Sequence, residues 1–576
     1  MMTDTMIDTG SNIASPEALA ALRDQLAAAA EGRRRVLVCS TGCLAIGARE
    51  VEATFRSEVA AAGLIGEVDV VQTGCHGLCA MAPVAVIEPY DIVYGRNRVK
   101  YIPDVISQTV MNGDVIRRFC YGRDAEMAHV EDIPFYAHQT KRVLRNVGRV
   151  DPQKIDDAIQ RGVYEAAGKA LTTMAPDEIV EEVKTSALRG RGGGGFPAGL
   201  KWEICKQNPG KDRYLICNAD EGDPGAFMDR ALLEGDPHSV LEGMIISAYA
   251  IEATKGFIYV RAEYPIAVTH IRRAIEEAQE RGLLGDNILG SGYSLDIEVR
   301  EGAGAFVCGE ETAMIASLEG ERGMARPKPP YPAVRGYYGE PTIINNVETF
   351  ANVPLIVDEG GATFAESGTE GSKGTKIFAL AGQVNNTGLV EVPMGATIRE
   401  IVFGVGGGMP RNREFKAVQM GGPSGGCVPA AHLDLPIDYD SLKEVGAIMG
   451  SGGMIVMDNT TCIVDIARYF IAFCAEESCG LCAPCRLGTV QLEEILNRIT
   501  EGKGSLEDLD LLESLGEVVQ QTSLCGLGQT APNPVMSTLR HFRDEYLAHV
   551  VDKTCPAGVC TALLPVEATS GKEKSR

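Results

Sequence analysis

The first 120 residues alternate between helical and strand-like patterns of apolar positions. An Ala-rich amphipathic run that Ser15 caps, SPEALAALRDQLAAAAEG, predicts a helix. A β-branched run, RRVLVCS, a second helical run, AREVEATFRSEVAAAG, and the strand-like runs EVDVVQTG and PVAVIEPYDIVYG follow it. This β-α-β-β order predicts a small independent α/β domain.

The rest of the chain changes its pattern three times. Residues 121–141 have no clear period and predict a linker, and from about Asp151 the strand-like runs RYLICNAD, KGFIYVRAEY and SLDIEVREG alternate with helical stretches. Residues 374–407 alternate apolar and polar positions with turn signals, which predicts a small β-rich unit. Residues 458–549 have a helical period and predict a bundle, and the final EATSGKEKSR predicts a disordered tail.

Composition narrows the possible functions. The 576 residues are 45% hydrophobic, 23% charged and carry a net charge of −24, which argues against nucleic-acid binding through phosphate neutralisation. No apolar run approaches the length of a membrane span, and the start lacks the basic region of a signal peptide. Seventeen cysteines without an export signal predict a reducing, cytoplasmic compartment.

Three cysteines crowd the helical region in SCGLCAPCRLGT. Cys479, Cys482 and Cys485 are each separated by two residues, and Cys525 in TSLCGLG offers a fourth ligand forty residues later. This spacing resembles a ferredoxin-like run and predicts a 4Fe–4S cluster. A tetrahedral zinc site is the competing interpretation, and ordinary buried cysteines are the other alternative.

Four further cysteines form two C-x3-C pairs in the first domain. Cys39 and Cys43 follow one predicted strand, and Cys75 and Cys79 follow another. Two loops with two thiolates each suit the two irons of a 2Fe–2S cluster. A redox-active dithiol and zinc remain alternatives. Two clusters in one chain would indicate a path for electrons.

A glycine-rich loop, LRGRGGGGFPAGLKW, spans residues 188–202. Its glycines let backbone N–H groups approach a phosphate or a flat ring, and Arg191 and Lys201 add positive charge. No G-K-[ST] follows, so this is not a Walker loop, and a plain flexible connection remains the alternative.

Acidic and amide side chains follow two predicted strands, a position suited to binding a nucleotide: Asn218, Asp220, Glu221 and Asp223 in ICNADEGDPGAFMDR, and Glu310 and Glu311 in GAGAFVCGEETAM. A carboxylate that accepts both ribose hydroxyls of NADH also repels the additional phosphate of NADPH. Each group taken alone is more typical of a solvated turn.

Six ordered motifs together resemble one family: GRGGGGFPAGLKW, NADEGDPGAF, GAGAFVCGEETA, PKPPYPA, INNVET and ESCGLCAPCR. They resemble the NADH-binding flavoprotein subunit of respiratory complex I and the related diaphorase subunits of NAD-linked or electron-bifurcating hydrogenases and formate dehydrogenases. The resemblance runs from about Phe135 to Cys525.

The resemblance implies a cofactor site built from these motifs. It implies FMN contacts from Gly190, Arg191, Gly192, Gly193, Lys201, Asn218, Asp220, Ile344, Asn345, Asn346 and Thr349. It implies a nicotinamide-nucleotide side formed by Phe196, Glu221, Asp223, Glu311, Lys328 and Tyr331, with Gly309 and Glu310 also among the cofactor-binding residues. Asp223 and Tyr331 stand where family members often have Glu and Phe, and tyrosine keeps a stacking face.

The first domain resembles the thioredoxin-like 2Fe–2S ferredoxin, whose first pair is usually C-x4-C rather than the C-x3-C found here. The expected fold is therefore a multidomain α/β protein with thioredoxin-like, Rossmann-like, β-grasp (ubiquitin-like) and helical 4Fe–4S domains. The expected divisions are a tail and helix at 1–32, a 2Fe–2S domain at 33–120, a lead-in at 121–175, an FMN and NADH domain at 176–355, a β-grasp-like domain at 356–445, the 4Fe–4S domain at 446–550 and a Cys-containing tail at 551–576.

The implied activity is an NADH dehydrogenase, or diaphorase, in a soluble multisubunit complex. Hydride passes between NADH and FMN, and single electrons then pass through the clusters to a partner such as a hydrogenase, a formate dehydrogenase or a ferredoxin-coupled reductase. No side chain need act as acid or base, and Glu221 is the nearest candidate. The alternative is a flavin-free iron–sulfur electron-transfer or assembly subunit.

The C-terminal AHVVDKTCPAGVC adds a last candidate site. His549, Cys555 and Cys560, with Cys462 from the start of the helical region, would make a Cys3His zinc site. A second 2Fe–2S centre is the redox alternative, and unpaired cysteines on a frayed tail are the other.

Overall fold

The computed structural model describes residues 12–564. Residues 1–11 and 565–576, which include the predicted disordered tail, lie outside the described residues. Helix α1 (Pro16–Ala30) packs against helices within residues 155–173 and buries Leu19 and Leu22 there. The first domain follows it and contains β1 (Arg34–Cys39), α2 (Ala48–Ala61), β2 (Val68–Thr73), β3 (Ala85–Glu88), β4 (Ile92–Tyr94) and α3 (Ile102–Asp104).

The first sheet has the order β2-β1-β3-β4, with β1 parallel to β2 and antiparallel to β3. Both α1 and β1 begin where the sequence predicts. Ser15 caps α1 by accepting a hydrogen bond from the Ala18 amide at 3.2 Å. Strand β1 ends at Cys39, so the first cysteine pair lies at the carboxyl edge of this sheet.

The segment predicted as a linker is packed rather than free. Helix α4 (Pro134–Ala137) buries Phe135 completely, and Phe135 belongs to a core that also contains strand residues of the first and third sheets. Apolar burial therefore fixes this segment between domains, although it has no regular period.

The second sheet is wholly parallel and carries helices between its strands. Its strands are β5 (Tyr214–Ala219), β6 (Lys255–Arg261), β7 (Asp296–Gly302) and β8 (Thr342–Asn346). The surrounding helices are α5 (Ile155–Gln160), α6 (Glu165–Thr173), α7 (Pro176–Thr185), α8 (Ala198–Gln207), α9 (Met228–Gly235), α10 (Pro237–Ala250), α11 (Pro265–Glu280), α12 (Glu311–Leu318), α13 (Val347–Glu359) and α14 (Gly361–Phe364).

The order of this sheet is β7-β6-β5-β8, so the direction of winding reverses between β5 and β8. In open α/β sheets, ligands bind at the carboxyl edge beside such a reversal. The asparagines of β5 and β8, Asn218 and Asn346, are register partners at that edge.

The third sheet has five strands in the order β10-β9-β13-β11-β12, which are β9 (Thr375–Gly382), β10 (Gly388–Pro393), β11 (Phe415–Met420), β12 (Gly426–Pro429) and β13 (Gly453–Asp458). Helix α15 (Ser441–Glu444) precedes β13. Residues 446–550 were predicted to form the helical domain, but β13 pairs in parallel with β9 in the middle of this sheet. A buried central strand has too few residues to reveal its partner from its pattern alone.

The remaining helices form the predicted bundle. They are α16 (Ile463–Glu476), α17 (Ala483–Thr500), α18 (Leu506–Thr522), α19 (Gly526–Thr530), α20 (Asn533–His541) and α21 (Arg543–Val550). In the described part of the chain, no helix is both long and apolar enough to cross a membrane.

The loop that carries the second cysteine pair is held between two other parts of the protein. A Cβ at Gly74 would lie 2.4 Å from the Cα of Gly235, at the end of α9, so the two backbones touch. On the other side, the amide of Leu389 in β10 donates to the carbonyl of Gly77 at 2.9 Å. The cysteine loop is therefore part of an interface and not a free turn.

Candidate functional site

The glycine-rich loop turns back on itself between β-bridged residues Arg189 and Pro197. The amide of Gly190 donates to the carbonyl of Phe196 at 2.9 Å, and a second bridge joins Gly193 to Gly450. Gly193 has a φ of 119°, which disfavours any residue with a Cβ. The loop thus requires glycine for its own shape. Around Gly194, a Cβ would meet no atom within 4 Å, so one face of the loop is open.

Arg191 has a different task from the one that the sequence suggested. Its side chain is wholly buried, and its guanidinium donates to the carbonyl oxygens of Arg189 at 3.1 Å and Lys373 at 2.6 Å. Its amide donates to the hydroxyl of Thr349 at 2.8 Å. Arg191 and Thr349 therefore hold the loop in place, and the Arg191 charge faces backbone rather than an open cleft.

The carboxylate at the carboxyl end of β5 gives the strongest indication that a ligand binds here. Asp220 is buried, and within residues 12–564 neither of its carboxylate oxygens has a hydrogen-bond partner. Burial raises the pKa of this carboxyl to about 7. Asn218 lies two residues before it and donates to the carbonyl of Gly309 at 2.9 Å. A buried carboxylate without a donor is the arrangement that a hydroxyl-bearing ligand would satisfy.

Glu221 and Asp223 are the next acids along the chain. The Glu221 carboxylate accepts hydrogen bonds from the amides of Met228 at 2.8 Å and Arg230 at 3.1 Å, so it caps α9. Burial raises the pKa of Glu221 to about 7 and that of Asp223 to about 6. Asp223 accepts from the hydroxyl of Ser451 at 2.9 Å, which connects this turn to the third sheet.

A carboxylate between two lysines lies at the start of α12. Lys201 lies 3.3 Å and Lys328 lies 3.0 Å from the carboxylate oxygens of Glu311. Burial opposes ionisation of Glu311, but the two ammonium charges outweigh it and lower the pKa of the carboxyl. Glu310 caps the same helix by accepting from the amides of Thr312 and Ala313, and Lys328 also contacts it at 2.9 Å. The two carboxylates and two lysines are therefore charged and held in fixed positions by their mutual ion pairs.

The remaining predicted residues lie at the end of β8 or on the surface. Ile344 accepts from Lys201 through its carbonyl at 2.8 Å, Asn345 is buried, and Asn346 donates to Asp229 at 2.5 Å. A Cβ at Gly192 would lie 3.0 Å from the Cβ of Asn346, so the glycine loop touches the end of β8. Two aromatic side chains are exposed and able to stack on a ring: Phe196 and Tyr331.

The four cysteines of the helical domain line one small cavity. Cys479, Cys482, Cys485 and Cys525 share it with apolar side chains that include Val307 and Leu527. Cys482 precedes α17 and Cys525 precedes α19, so two helix N-termini point at the group and favour negative charge there. The donor set and the dry walls fit one iron–sulfur cube.

Residues 306–311, which we call the shared loop, border both groups. Val307 lines the cysteine cavity, while Gly309 accepts from Asn218 and Glu311 contacts the two lysines. The amide of Phe306 donates to Glu477, just before the first cysteine, at 2.9 Å. One short segment therefore separates the cysteine group from the carboxylate and lysine group.

The two cysteine pairs of the first domain also meet. The thiols of Cys43 and Cys75 contact that of Cys39 and hold its pKa below the usual range, although burial opposes this. Cys75 in turn contacts Cys79. Two loops thus bring four thiols into one connected group, as a 2Fe–2S cluster would need.

The C-terminal group is the tightest of the three. The ligand atoms of Cys462, His549, Cys555 and Cys560 are all buried and lie within 4.8 Å of one another. The sulfur of Cys462 lies 3.7 Å from that of Cys560 and 3.4 Å from Nε2 of His549. Nδ1 of His549 lies 2.7 Å from the carbonyl of Glu545, which leaves Nε2 free to bind a metal.

Sequence reasoning missed several residues that support these groups. Ser478 places its hydroxyl 3.2 Å from the sulfur of Cys485, and its position beside three cysteines was an available signal. Asp229 orients Asn346, and the hydroxyl of Tyr439 donates to the carbonyl of Gly190 at 2.7 Å. Tyr439 is far from the loop in sequence, so no local pattern could have indicated this contact.

Comparison with known proteins agrees with this arrangement. Residues 183–355 match the Nuo51 FMN-binding domain, and residues 465–549 match the NADH-ubiquinone oxidoreductase-F iron–sulfur binding region. The chain is 58% identical to the HndC subunit of the NADP-reducing hydrogenase of Solidesulfovibrio fructosivorans, over 74% of this chain and 86% of that protein. It is 47% identical to the second F-type subunit of the NADH-quinone oxidoreductase of Rhizobium meliloti, over 72% of this chain and 98% of that protein.

A solved structure extends the similarity over more of the chain. The crystal structure of an NAD+-reducing [NiFe]-hydrogenase in the H2-reduced state contains a chain with 31% identity and a TM-score of 0.64. The match covers 93% of this chain and 90% of that chain. The multidomain α/β architecture is therefore shared.

Proposed function

Because this chain belongs to the family of the F-type NADH-quinone oxidoreductase subunits and their hydrogenase relatives, we propose in detail how its residues carry out the family's activity. The protein is an NADH-oxidising flavoprotein subunit that passes electrons to partner subunits. The observation that carries the detailed proposal is the shared loop, which borders the nucleotide-side carboxylate on one side and the 4Fe–4S cysteines on the other.

The residues at the carboxyl edge of the second sheet fit FMN and a nicotinamide nucleotide. The open glycine loop admits a flat ring, and the buried, unpartnered Asp220 would accept hydrogen bonds from ligand hydroxyls. Lys201, rather than Arg191, supplies the positive charge that a phosphate-bearing cofactor would need at this site. We assign to this site the FMN and nucleotide residues that the resemblance implied, with Arg191 and Thr349 shaping the loop and Glu221 capping α9.

The chain's own groups bind and orient, and none is required to transfer a proton. Bound FMN would supply the chemistry, which is acceptance of hydride from NADH and transfer of single electrons. Phe196 and Tyr331 offer exposed rings on which a nucleotide can stack, and Glu311 is placed to accept ribose hydroxyls. The apolar side chains of Val307 and Leu527 would shield the sulfurs of Cys485 and Cys525.

Flavin content separates this proposal from a flavin-free electron-transfer role. We expect about one FMN per chain and an absorbance band near roughly 450 nm that NADH bleaches within the mixing time, as oxidised flavins show. Protein that carries its iron but no flavin, and that neither binds added FMN nor oxidises NADH, would support the alternative.

We further propose the finer domain assignment and the two additional metal centres. The domains are thioredoxin-like, Rossmann-like, β-grasp-like and helical, with the third extended to include β13.

The first domain holds a 2Fe–2S cluster on Cys39, Cys43, Cys75 and Cys79. The C-terminal Cys3His group holds zinc, because its four ligand atoms all lie within 4.8 Å of one another, close enough to share a single tetrahedral ion. A 2Fe–2S centre would spread its ligands over two irons.

Metal content tests both centres in the full chain. Fully loaded protein should contain about six iron atoms and about one zinc, the sum of one cube, one 2Fe–2S cluster and one structural ion. Cys79→Ser should remove about two iron atoms and leave zinc, whereas Cys555→Ser should remove zinc and leave iron. Each variant is the control for the other. Loss of iron in Cys555→Ser, or zinc in the first domain, would contradict the assignment.

The partners are proposed as redox subunits of a heteromeric complex of the hydrogenase, formate dehydrogenase or ferredoxin-coupled type. Exposed apolar side chains beside the 4Fe–4S cysteines, which are Leu481, Leu487 and Val490, fit a surface through which electrons leave to such a partner. The reduced thiols that these clusters require favour a cytoplasmic location.

A further inference from the structure

A wide cavity lies away from the flavin motifs, where three parts of the chain meet. Helix α1, the start of β1 and residues 145–161 line this cavity, which is widely open to solvent and has a volume of about 700 Å³. One wall is apolar and made of small side chains, Ala27, Ala28 and Ala30. This volume is within the range of sites that hold nucleotide-sized or drug-sized ligands.

The opposite wall carries three arginines, which differ in their acidic partners. Arg35 is paired with Asp157 at 2.9 Å and Glu88 at 3.4 Å. Within residues 12–564, no carboxylate lies within 4.0 Å of the guanidinium of Arg145 or Arg161. The guanidinium of Arg145 donates to the carbonyl of Arg142 at 3.0 Å.

The guanidinium groups of Arg145 and Arg161 therefore border the same cavity. Guanidinium presents a planar fork of N–H donors that matches the oxygens of a phosphate, and a charge-assisted bond of this kind is stronger than a neutral one. The carboxamides of Asn146 and Gln160 add polar groups beside the arginines, and the Glu31 carboxylate lines the side that α1 forms.

We propose that this cavity binds a small phosphate ester of nucleotide size, with its phosphate on Arg145 and Arg161 and its organic part against the alanines of α1. The apolar wall distinguishes this from a site for bare phosphate, which would not need it. The proposal does not depend on the flavin chemistry, since none of its residues belongs to the flavin motifs.

Occupancy of the cavity would act on the first domain. Arg35 is on β1, the strand that ends at Cys39, and Arg145 is in the segment that packs on the second cysteine loop. In that segment, a Cβ at Gly148 would lie only 3.0 Å from Nδ1 of His76, the residue after Cys75. Arg35 is the lining residue that belongs to the first sheet, so an occupant of the cavity would lie beside the attachment of the first domain to the rest of the protein.

Isothermal titration of the holoenzyme tests the site, with ADP, AMP and inorganic phosphate as probes. The wild type should show a class of about one ADP site per chain that Arg145→Gln and Arg161→Gln each weaken about tenfold or more, as loss of one charge-assisted contact predicts. Arg49→Gln, which changes an exposed arginine of α2 outside the cavity, is the matched control and should leave the isotherm unchanged.

The nucleotide site proposed for the flavin domain would also bind adenosine phosphates. Binding of ADP by the wild type therefore does not test this cavity, and the test is the comparison of the wild type with the two arginine variants. Because Arg161 is exposed, its variant folds even if Arg145→Gln does not. Isotherms for ADP that are identical in wild type and Arg161→Gln overturn the proposal, as does the absence of saturable binding for all three probes. Tighter binding of ADP and AMP than of inorganic phosphate supports the role of the alanine wall, and equal binding of all three rejects it.

Discussion

Replacement of Cys482 by serine is expected to abolish the electron paramagnetic resonance signal of the 4Fe–4S cluster and to remove about four iron atoms per chain. Electron delivery to the partner should fall by roughly two orders of magnitude or more, because the cube that these cysteines would hold is the proposed relay for electrons that leave the flavin. Reduction of the flavin by NADH should continue, since the nucleotide residues lie on the other face of the shared loop. Stopped-flow absorbance measures the flavin step, and turnover with the partner measures the rest.

Cys474→Ala is the matched control for this experiment. Cys474 is a fully buried cysteine of α16 in the same domain, and it does not line the cysteine cavity. Its variant should keep the iron and the resonance signal, apart from a modest loss of stability. Unchanged iron and unchanged resonance in Cys482→Ser would reject the assignment of the cube.

Replacement of Glu311 by glutamine is expected to narrow the preference for NADH over NADPH by about 10-fold to 100-fold, measured as the ratio of the two kcat/KM values. In the wild type, the Glu311 carboxylate is ionised and would meet the additional phosphate of NADPH as a like charge. In the variant this like charge is removed, while Lys328 keeps its ion pair with Glu310 and Lys201 keeps its bond to the Ile344 carbonyl. The gain should appear mainly as a lower KM for NADPH.

Glu321→Gln controls for the change in net charge. Glu321 is exposed shortly after the end of α12, so its substitution should leave the ratio unaltered. A wild-type protein that uses both nucleotides equally well would show that Glu311 does not face the ribose. If Glu311→Gln and Glu321→Gln changed this ratio equally, the effect would be long-range electrostatics and not a contact between Glu311 and the nucleotide.

Features that depend only on residues close together in the chain were the most predictable from the sequence. Helix α1 with its Ser15 cap, the strands β1 to β4 and the helical bundle follow from apolar period and turn residues. The cysteine groups were predictable because ligand spacing is a local property, and the structure brings the four cysteines of the bundle to one cavity. The segments after β5 and β7 meet through the hydrogen bond from Asn218 to the Gly309 carbonyl, because carboxyl ends of parallel strands share one edge.

What failed depended on distant contacts. The sequence did not indicate that the guanidinium of Arg191 donates to the carbonyl of Lys373, more than 180 positions away. It assigned β13 to the helical domain because its partner β9 lies about 75 residues earlier. The predicted linker is packed, since Phe135 meets a core assembled from two sheets. Local patterns carry no information about such partners.

The contact between Gly74 and Gly235 limits which domains from other proteins could replace the first domain. Each glycine occupies the space that a side chain on the other would need, and a Cβ at Gly235 would also lie 2.9 Å from a methyl group of Val147. A larger residue on one side cannot be offset by a smaller one on the other, because glycine is already the smallest. A ferredoxin module from another protein could therefore be grafted onto this flavin domain only if its own cysteine loop also presents bare backbone at this position.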